Sequence, residues 1–353
     1  MLCKLLLVAL LAVACNPPAA PASAPAAQNT PAATAASDLA ATPGSPIKVR
    51  IAVGPAGSLV YLPIDVAQAL KFFDAEGLVV DLQVMPDSTQ AEAALLSGSV
   101  MFSGGLFDDA VRAQPQGKDL TMIVSFTRYP AIVVMVRADL KDSIKSPADF
   151  KGRKIGVTAI GAVTHVLAAT LAAKAGLKPD DYTVLPVGSG TMANAFENKD
   201  IDVGVNFDTF ATQLLKSGGV VSLGDLRTPA GSEQYLGGEY QFTGMLVDAA
   251  TIKRRPEIVQ KMVNAVVKAM AYMRAHSARE LADALPDDVT GKDKQAWIDA
   301  YGASLDTYAP DGRVSTAGAE NAVAANRQFG TIKPGDRIDI EALYDNTFVD
   351  RVK

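Results

Sequence analysis

The peptide IKVRIAVGPAG, residues 47–57, carries a pattern that the chain later repeats. Its first seven residues alternate polar and apolar side chains, and they predict a β-strand. Gly54–Gly57 predicts a turn, and the apolar spacing beyond it predicts an amphipathic helix to about Ala75. Gly77 ends that helix, and Leu78–Met85 predicts the next strand. A strand, glycine turn, helix and strand form the repeating unit of a parallel α/β sheet.

The same order returns about one hundred residues later. Lys154–Thr158 predicts a strand, Gly161 a turn and Ala162–Ala175 a helix. After Val247 the sequence is nearly all helical, with a long amphipathic helix over 256–276. We therefore predict an α/β fold in which two doubly wound lobes enclose a cleft, followed by a helical C-terminal return.

These repeats also predict where one lobe ends and the other begins. Lobe 1 is expected at 47–136 plus 243–353, and lobe 2 at 137–242. The hinges are expected near 136–147 and 236–243, the second of which contains two consecutive glycines. In open α/β sheets, ligands bind beyond the carboxyl ends of the strands, so both glycine turns should face the cleft.

The first 46 residues have the composition of an export signal and a tether. Lys4 precedes an apolar run that ends in small residues directly before Cys15. This order matches a bacterial lipoprotein signal over 1–14, whose mature end is lipidated on Cys15. A plain secretory signal is the alternative. The segment 15–46 is rich in Ala and Pro and lacks aromatic residues, which predicts a disordered tether and a lipid-anchored protein of the cell envelope.

Composition and motifs exclude several classes of function. Cys3 would leave with the signal, so the body has no disulfide and no cysteine nucleophile. The net charge of −5 argues against nucleic acid as a partner, and two distant histidines do not predict a metal site. The segment Gly188-Ser189-Gly190 resembles a dinucleotide fingerprint, but no acidic residue follows it at the required distance. We predict no cofactor and no enzymatic activity.

Several segments together resemble one family. They are PIDVAQALKFFDAEGLVVDL at 63–82, ALLSG at 94–98, SPADFKGRKIGV at 146–157, RPEIVQKMVNA at 255–265 and NTFV at 346–349. In this order they are similar to the NMT1/SsuA-like periplasmic solute-binding proteins for alkanesulfonates, taurine, nitrate and thiamine-pyrimidine precursors. The resemblance implies a two-lobe, type II periplasmic-binding-protein-like fold. It also implies a partner permease with its ATPase, and we expect a monomer that meets the membrane only through its lipid anchor.

The resemblance implies that binding residues come from turns at the strand ends. In lobe 1 these are Gly57, Ser58, Leu59, Ser103, Gly104 and Gly105. In lobe 2 they are Thr158, Gly161, Thr164 and His165. Small residues expose backbone N–H groups at helix N-termini, and hydroxyl groups add further donors. The alternative is that the glycines serve only the geometry of the chain and that His165 only packs.

Four further residues are candidates because of their positions after buried strands. Arg128 is suited to clamp a carboxylate or sulfonate, or else forms a surface salt bridge. Asn206 and Phe207 end a strand of lobe 2, where Phe207 stacks on a flat ligand or belongs to the core. Asp208 either faces the cleft or caps the helix that follows it.

These donors favour a small organic anion, either a sulfonate or an aromatic carboxylate. The second interpretation is a neutral pyrimidine-like heterocycle stacked on Phe207, Tyr61 and Tyr129. Two other classes of function stay open at this point: an enzyme on the same bilobal scaffold, and a receptor that signals to a membrane partner.

Overall fold

Two five-stranded sheets form the framework of the chain. The structure, a computed structural model, describes residues 46–328 and 331–352. The expected signal at 1–14, the lipidated Cys15 and the tether through residue 45 lie outside the described residues. All described residues belong to one compact unit.

The described strands and helices alternate until the chain turns helical. The strands are β1 (Ile47–Val53), β2 (Leu78–Val84), β3 (Phe102–Leu106), β4 (Leu120–Ser125), β5 (Ile132–Arg137), β6 (Lys154–Val157), β7 (Thr183–Pro186), β8 (Val203–Phe207), β9 (Val220–Asp225) and β10 (Thr243–Asp248). The helices are α1 (Leu62–Ala69), α2 (Phe72–Ala75), α3 (Ser88–Leu96), α4 (Phe107–Ala113), α5 (Val163–Lys174), α6 (Met192–Glu197), α7 (Phe210–Ser217), α8 (Pro229–Leu236), α9 (Ala249–Arg254), α10 (Pro256–Ala275), α11 (Ala278–Ala284), α12 (Asp287–Thr290), α13 (Lys294–Ala303) and α14 (Thr316–Gln328).

The two sheets have the same plan. The first has the order β2-β1-β3-β10-β4, and the second has the order β7-β6-β8-β5-β9. In the first sheet β1 pairs in parallel with β2 and β3, whereas β10 is antiparallel to both of its neighbours. In the second sheet β6 pairs in parallel with β7 and β8, and β5 is the antiparallel strand. Strand β10 returns to the first sheet after β5–β9 have formed the second, and the predicted α/β fold with two similar halves is confirmed.

The first crossing lies earlier than the sequence predicts. Strand β5 hydrogen-bonds with β8 and β9, so Ile132–Arg137 belongs to the second sheet. The predicted boundary at 136/137 is therefore wrong by one strand, and the chain crosses at 126–131. The error has a simple cause: the apolar run IVVMV shows that a strand is buried, but it cannot show which sheet buries it.

A second difference concerns the helix predicted to reach Ala75. It is divided into a 3₁₀ turn at Leu59–Tyr61, then α1 and α2. Lys71 lies between α1 and α2 with a φ of 60°, a left-handed conformation that an α-helix cannot contain.

The two crossings run side by side between the sheets. Phe126 N–H donates to the Thr243 carbonyl (2.9 Å), and Phe242 N–H donates to the Thr127 carbonyl (3.2 Å). The Thr127 and Thr243 hydroxyl groups also hydrogen-bond to each other at 2.7 Å, fully buried. Paired connections of this kind keep two lobes in register while their dihedral angles change.

Helix α10 packs against α1 and α2 and against β4, the edge strand of the first sheet. Its apolar face is buried at Ile258, Met262, Val263, Val266, Met270 and Met273, as the helical spacing predicts. Burying such a face stabilises a long helix far more than its intrinsic propensity does. Across the part of the chain that the structure describes, we find no helix with both the length and the apolar character needed to cross a membrane.

Candidate functional site

The turn after β1 is anchored to the crossings. Gly57 has a φ of +75°, and Ser58 after it is buried with 7% exposure. The Tyr308 hydroxyl donates to the Leu59 carbonyl at 2.8 Å, and the Thr243 hydroxyl donates to the Val60 carbonyl at 3.1 Å. These contacts hold the predicted residues Gly57, Ser58 and Leu59 at the edge where the first sheet meets the crossings.

The second sheet reaches this turn through the end of β8. The Thr209 hydroxyl donates to the Gly57 carbonyl at 3.3 Å. The ring of Phe207 contacts that of Phe242, in the second crossing, with centroids 6.1 Å apart. A cavity of about 260 Å³ lies at the junction, and Gly57, Thr209, Gln213 and Trp297 are among its lining residues. The turn after β1 therefore meets the end of β8 at this junction.

The turn after β6 forms a local hydrogen-bond cluster at the start of α5. Thr158 N–H donates to the Thr164 hydroxyl at 3.0 Å, and the two hydroxyl groups lie 2.8 Å apart. Gly161, with a φ of +83°, donates its N–H to His165 Nδ1 at 3.1 Å. Because Nδ1 accepts, a neutral His165 carries its proton on Nε2. Burial lowers the pKa of His165, which favours that neutral form.

Asn206 supports the backbone of this region. Its side-chain N–H₂ donates to the Ser189 carbonyl at 3.0 Å, and its side-chain oxygen accepts from Phe207 N–H at 2.9 Å. The side chain is fully buried. Asn206 therefore orients the end of β8. Phe207, the next residue, is half-buried, so its ring can contact a ligand.

Asp208 is held inside the protein. One carboxylate oxygen accepts from Thr212 N–H in the first turn of α7 at 2.9 Å. The other accepts from Arg227 Nη1 at 2.7 Å and from the Ser304 hydroxyl at 2.8 Å. The interpretation that Asp208 serves the start of the helix thus agrees with the structure. Sequence reasoning missed Arg227 and Ser304, which lie 19 and 96 positions away and form no local motif.

The predicted residues of β3 lie within the first sheet. A Cβ atom at Gly104 would lie 2.7 Å from Ile64 Cδ1, and one at Gly105 would lie 2.7 Å from Leu246 Cδ1. Packing of neighbouring side chains thus explains both glycines. Ser103 is fully buried, and its hydroxyl has no hydrogen-bond partner among the described residues.

Arg128 is occupied by an ion pair between the two crossings. Its Nη1 lies 3.1 Å from Glu239 Oε1, and each side chain is 26% exposed. This contact agrees with the salt-bridge alternative. A ligand anion would have to compete with Glu239 for the guanidinium group.

The aromatic candidates differ in how far they are accessible. Tyr61 is buried, and a Cβ atom at Gly54 would lie 2.9 Å from its ring. Tyr129 is half-buried, and burial together with the nearby charge of Glu239 raises its pKa. Phe207 and Tyr129 are therefore the rings available to a flat ligand.

A further buried network joins the second crossing to the helical return. Asp108 accepts from the Tyr240 hydroxyl at 2.7 Å and from the side-chain N–H₂ of Asn326 at 2.5 Å. Burial raises the pKa of Asp108, although both hydrogen bonds oppose that rise. No group of three or more His, Cys, Asp or Glu side chains within 46–328 and 331–352 is arranged to hold a metal ion.

Known proteins share this arrangement of two sheets. A solved structure from Bordetella bronchiseptica RB50 is 30% identical, covers 86% of this chain and 96% of that chain, and superposes with a TM-score of 0.78. The periplasmic aliphatic sulphonate binding protein SsuA from Escherichia coli is 21% identical, covers 85% and 97%, and has a TM-score of 0.63. The riboflavin-binding protein RibY of Chloroflexus aurantiacus is 26% identical over 272 residues, which are 75% of this chain and 72% of that protein.

The two-sheet fold is the one that the periplasmic binding protein SsuA has. A family model described as NMT1/THI5 like matches residues 59–280. The chain belongs to this family, as the resemblance in its sequence predicts. Relatives from Brucella abortus and Bacillus subtilis are named putative binding proteins, in agreement with the prediction of a binding protein rather than an enzyme.

Proposed function

We propose that this chain is a lipid-anchored receptor that captures a small organic anion, a sulfonate or an aromatic carboxylate, between its two sheets. It then delivers that ligand to a permease with its ATPase. The hydrogen bond from Thr209 to Gly57 carries the proposal, because it joins the strand-end turns of both halves. A small molecule that contacts both turns would stabilise the arrangement in which the two halves meet.

The polar groups of the turn at 158–165 support an anionic head group. Helix α5 begins in the Thr158–His165 cluster, and a helix N-terminus attracts negative charge. Neutral His165 and the threonine hydroxyl groups add donors without a full positive charge. Asp208, the acid next to Phe207, is fully buried and pairs with Arg227, so its repulsion of an anion is partly compensated.

The ligand class can be tested by thermal shift on the whole chain. We expect a small sulfonate or aromatic carboxylate to raise the melting temperature, because a ligand at 100 times its Kd adds about 2.7 kcal/mol to the stability of the folded state. Phe207→Ala should reduce this shift for aromatic ligands. Phe72→Ala is the matched control, because Phe72 packs on Tyr272, away from the junction.

The alternative ligand is a neutral pyrimidine-like heterocycle. It is favoured by the pairing of Arg128 with Glu239, because this ion pair occupies the cation. The rings of Phe207 and Tyr129 are then the groups that a ligand can contact. Stabilisation by pyrimidines together with no effect of any sulfonate or carboxylate would replace our first choice with this one.

Lipid attachment at Cys15 is the second part of the proposal. It rests on Lys4, the apolar run and the small residues before the cysteine. A tether of about 30 residues has a typical reach of roughly 30 Å, which would keep the receptor close to its permease.

Replacing this cysteine should separate anchoring from binding. We expect Cys15→Ser to move the protein from the membrane fraction to the soluble fraction, with ligand-induced thermal shifts unchanged. Cys3→Ser is the matched control and should stay with the membranes, because Cys3 lies within the signal. Equal membrane association of the two variants would contradict lipidation at Cys15.

A further inference from the structure

A second cavity lies away from the junction of the two sheets. It has a volume of about 390 Å³ and is bounded by the C-terminal end of α10, the start of α11 and residues 301–309. Ligand pockets for small molecules have volumes of about 300–1,000 Å³, so this cavity is large enough for one. None of the predicted site residues lines it.

The walls of this cavity are mainly apolar. Met270 and Met273 come from the buried face of α10, and Tyr301 and Tyr308 close the opposite side. Leu305 lies at the cavity with 51% exposure, an unusual position for a large aliphatic side chain in this structure. Methionine side chains adapt to ligands of different shape. The cavity therefore suits an aliphatic or aromatic body.

The permanently charged residue among those that line this cavity is an arginine. Arg274 lines the cavity and is exposed, and its side chain makes no hydrogen bond or ion pair with any residue in 46–328 or 331–352. His276 lies beside it with Nδ1 2.8 Å from the Tyr272 carbonyl, which leaves Nε2 free of that contact. None of the residues that line the cavity is acidic. Glu280, in the following turn, accepts from the backbone N–H and the hydroxyl of Ser277.

From these observations we infer that this cavity is a second binding site, for an amphipathic monocarboxylate. The apolar body lies between Met270, Met273 and the two tyrosine rings, and the carboxylate pairs with Arg274 at the mouth. Guanidinium and carboxylate groups form charge-assisted hydrogen bonds, and their pairing selects an acid over a neutral molecule with the same body.

One residue joins this site to the sheet junction. The ring of Tyr308 lines the cavity, its hydroxyl donates to the Leu59 carbonyl, and its backbone pairs with Thr127 in the first crossing. A ligand in this cavity would therefore contact Tyr308, which holds the turn after β1 in place. The ligand itself would stay outside the junction of the two sheets.

The single tryptophan of the chain allows a direct measurement. Trp297 is 3% exposed and stacks on Tyr301, with ring centroids 5.2 Å apart. Titration of the full chain with octanoate should therefore change the tryptophan fluorescence in a saturable way, and calorimetry should give the same Kd. We expect 1-octanol to bind about tenfold more weakly, since it lacks the charge.

Two variants with matched controls locate the binding. Arg274→Gln should weaken octanoate binding about tenfold, whereas Arg279→Gln, in α11 and outside the cavity, should not. Ala278→Phe should fill the cavity and abolish binding, whereas Ala284→Phe on the exposed side of the same helix should retain it. Phe207→Ala should leave octanoate affinity unchanged, because Phe207 lies at the junction of the sheets.

Several results would overturn this inference. They are the absence of saturable octanoate binding, equal affinities in Arg274→Gln and Arg279→Gln, and loss of octanoate binding in Phe207→Ala. Arg274 is a surface residue, so its replacement tests the carboxylate even if Ala278→Phe does not fold.

Discussion

Replacing Asp208 with alanine is expected to lower the free energy of unfolding by about 3–5 kcal/mol, because the change removes one partner of a buried ion pair. Asp208 is fully buried, and the side chain of Arg227 is only 7% exposed. Their contact of 2.7 Å joins β8 to the end of β9, and the Ser304 hydroxyl adds a bond from the C-terminal helices. The loss would leave Arg227 partly unpaired in the interior. Chemical denaturation of the two proteins measures the difference.

Two further variants show whether the buried pair is the cause. Asp225→Ala removes the other partner of Arg227. The side chain of Asp225 is 33% exposed, so this change should lower the free energy of unfolding by about 1 kcal/mol or less. Combining Asp208→Ala with Arg227→Met should recover part of the loss, because no buried charge then remains. If Asp208→Ala were no more harmful than Asp225→Ala, the buried pair would not contribute as the structure indicates.

Replacing Gly244 with alanine should destabilise the first sheet by about 3 kcal/mol. A Cβ atom there would lie 2.3 Å from the Val124 carbonyl oxygen and 2.5 Å from Met122 Sδ. The oxygen belongs to the backbone of β4, so strand β10, which lies between β3 and β4, must shift relative to this neighbour. Overpacking of this kind typically costs 1–3 kcal/mol, and sometimes more where backbone must move. Thermal or urea unfolding measures the effect.

A second glycine provides a control with the opposite sign. Gly302 lies in α13 with no atom within 4 Å of an added Cβ. Gly302→Ala should therefore stabilise the protein by up to about 1 kcal/mol, since alanine restricts the unfolded chain and favours the helix. A neutral Gly244→Ala variant would contradict the close pairing of β10 with β4.

The long helix and the two strand-turn-helix units were predictable from local sequence. The apolar spacing in 256–276 marks one helical face, and α10 buries that face over Pro256–Ala275. Likewise, the glycine turns at Gly57 and Gly161 lie at the starts of corresponding helical segments. Such features depend on neighbours three or four positions apart, so a single sequence contains them.

Features that depend on distant partners were not predictable. The apolar run of β5 is compatible with either sheet, and only its pairing with β8 and β9 assigns it to the second. The candidate site shows the same limit. The sequence position of Arg128 predicts that it could bind an anionic ligand. In the structure it pairs with Glu239, which lies 111 residues away in the chain.

The claim that a small ligand is held between the two halves is tested most directly by a crystal structure of the chain with the compound that stabilises it. We expect that compound between the turn at 54–58 and the segment 158–165, in contact with residues of both sheets. A compound bound to one sheet alone, or at a distance from both turns, would contradict this account.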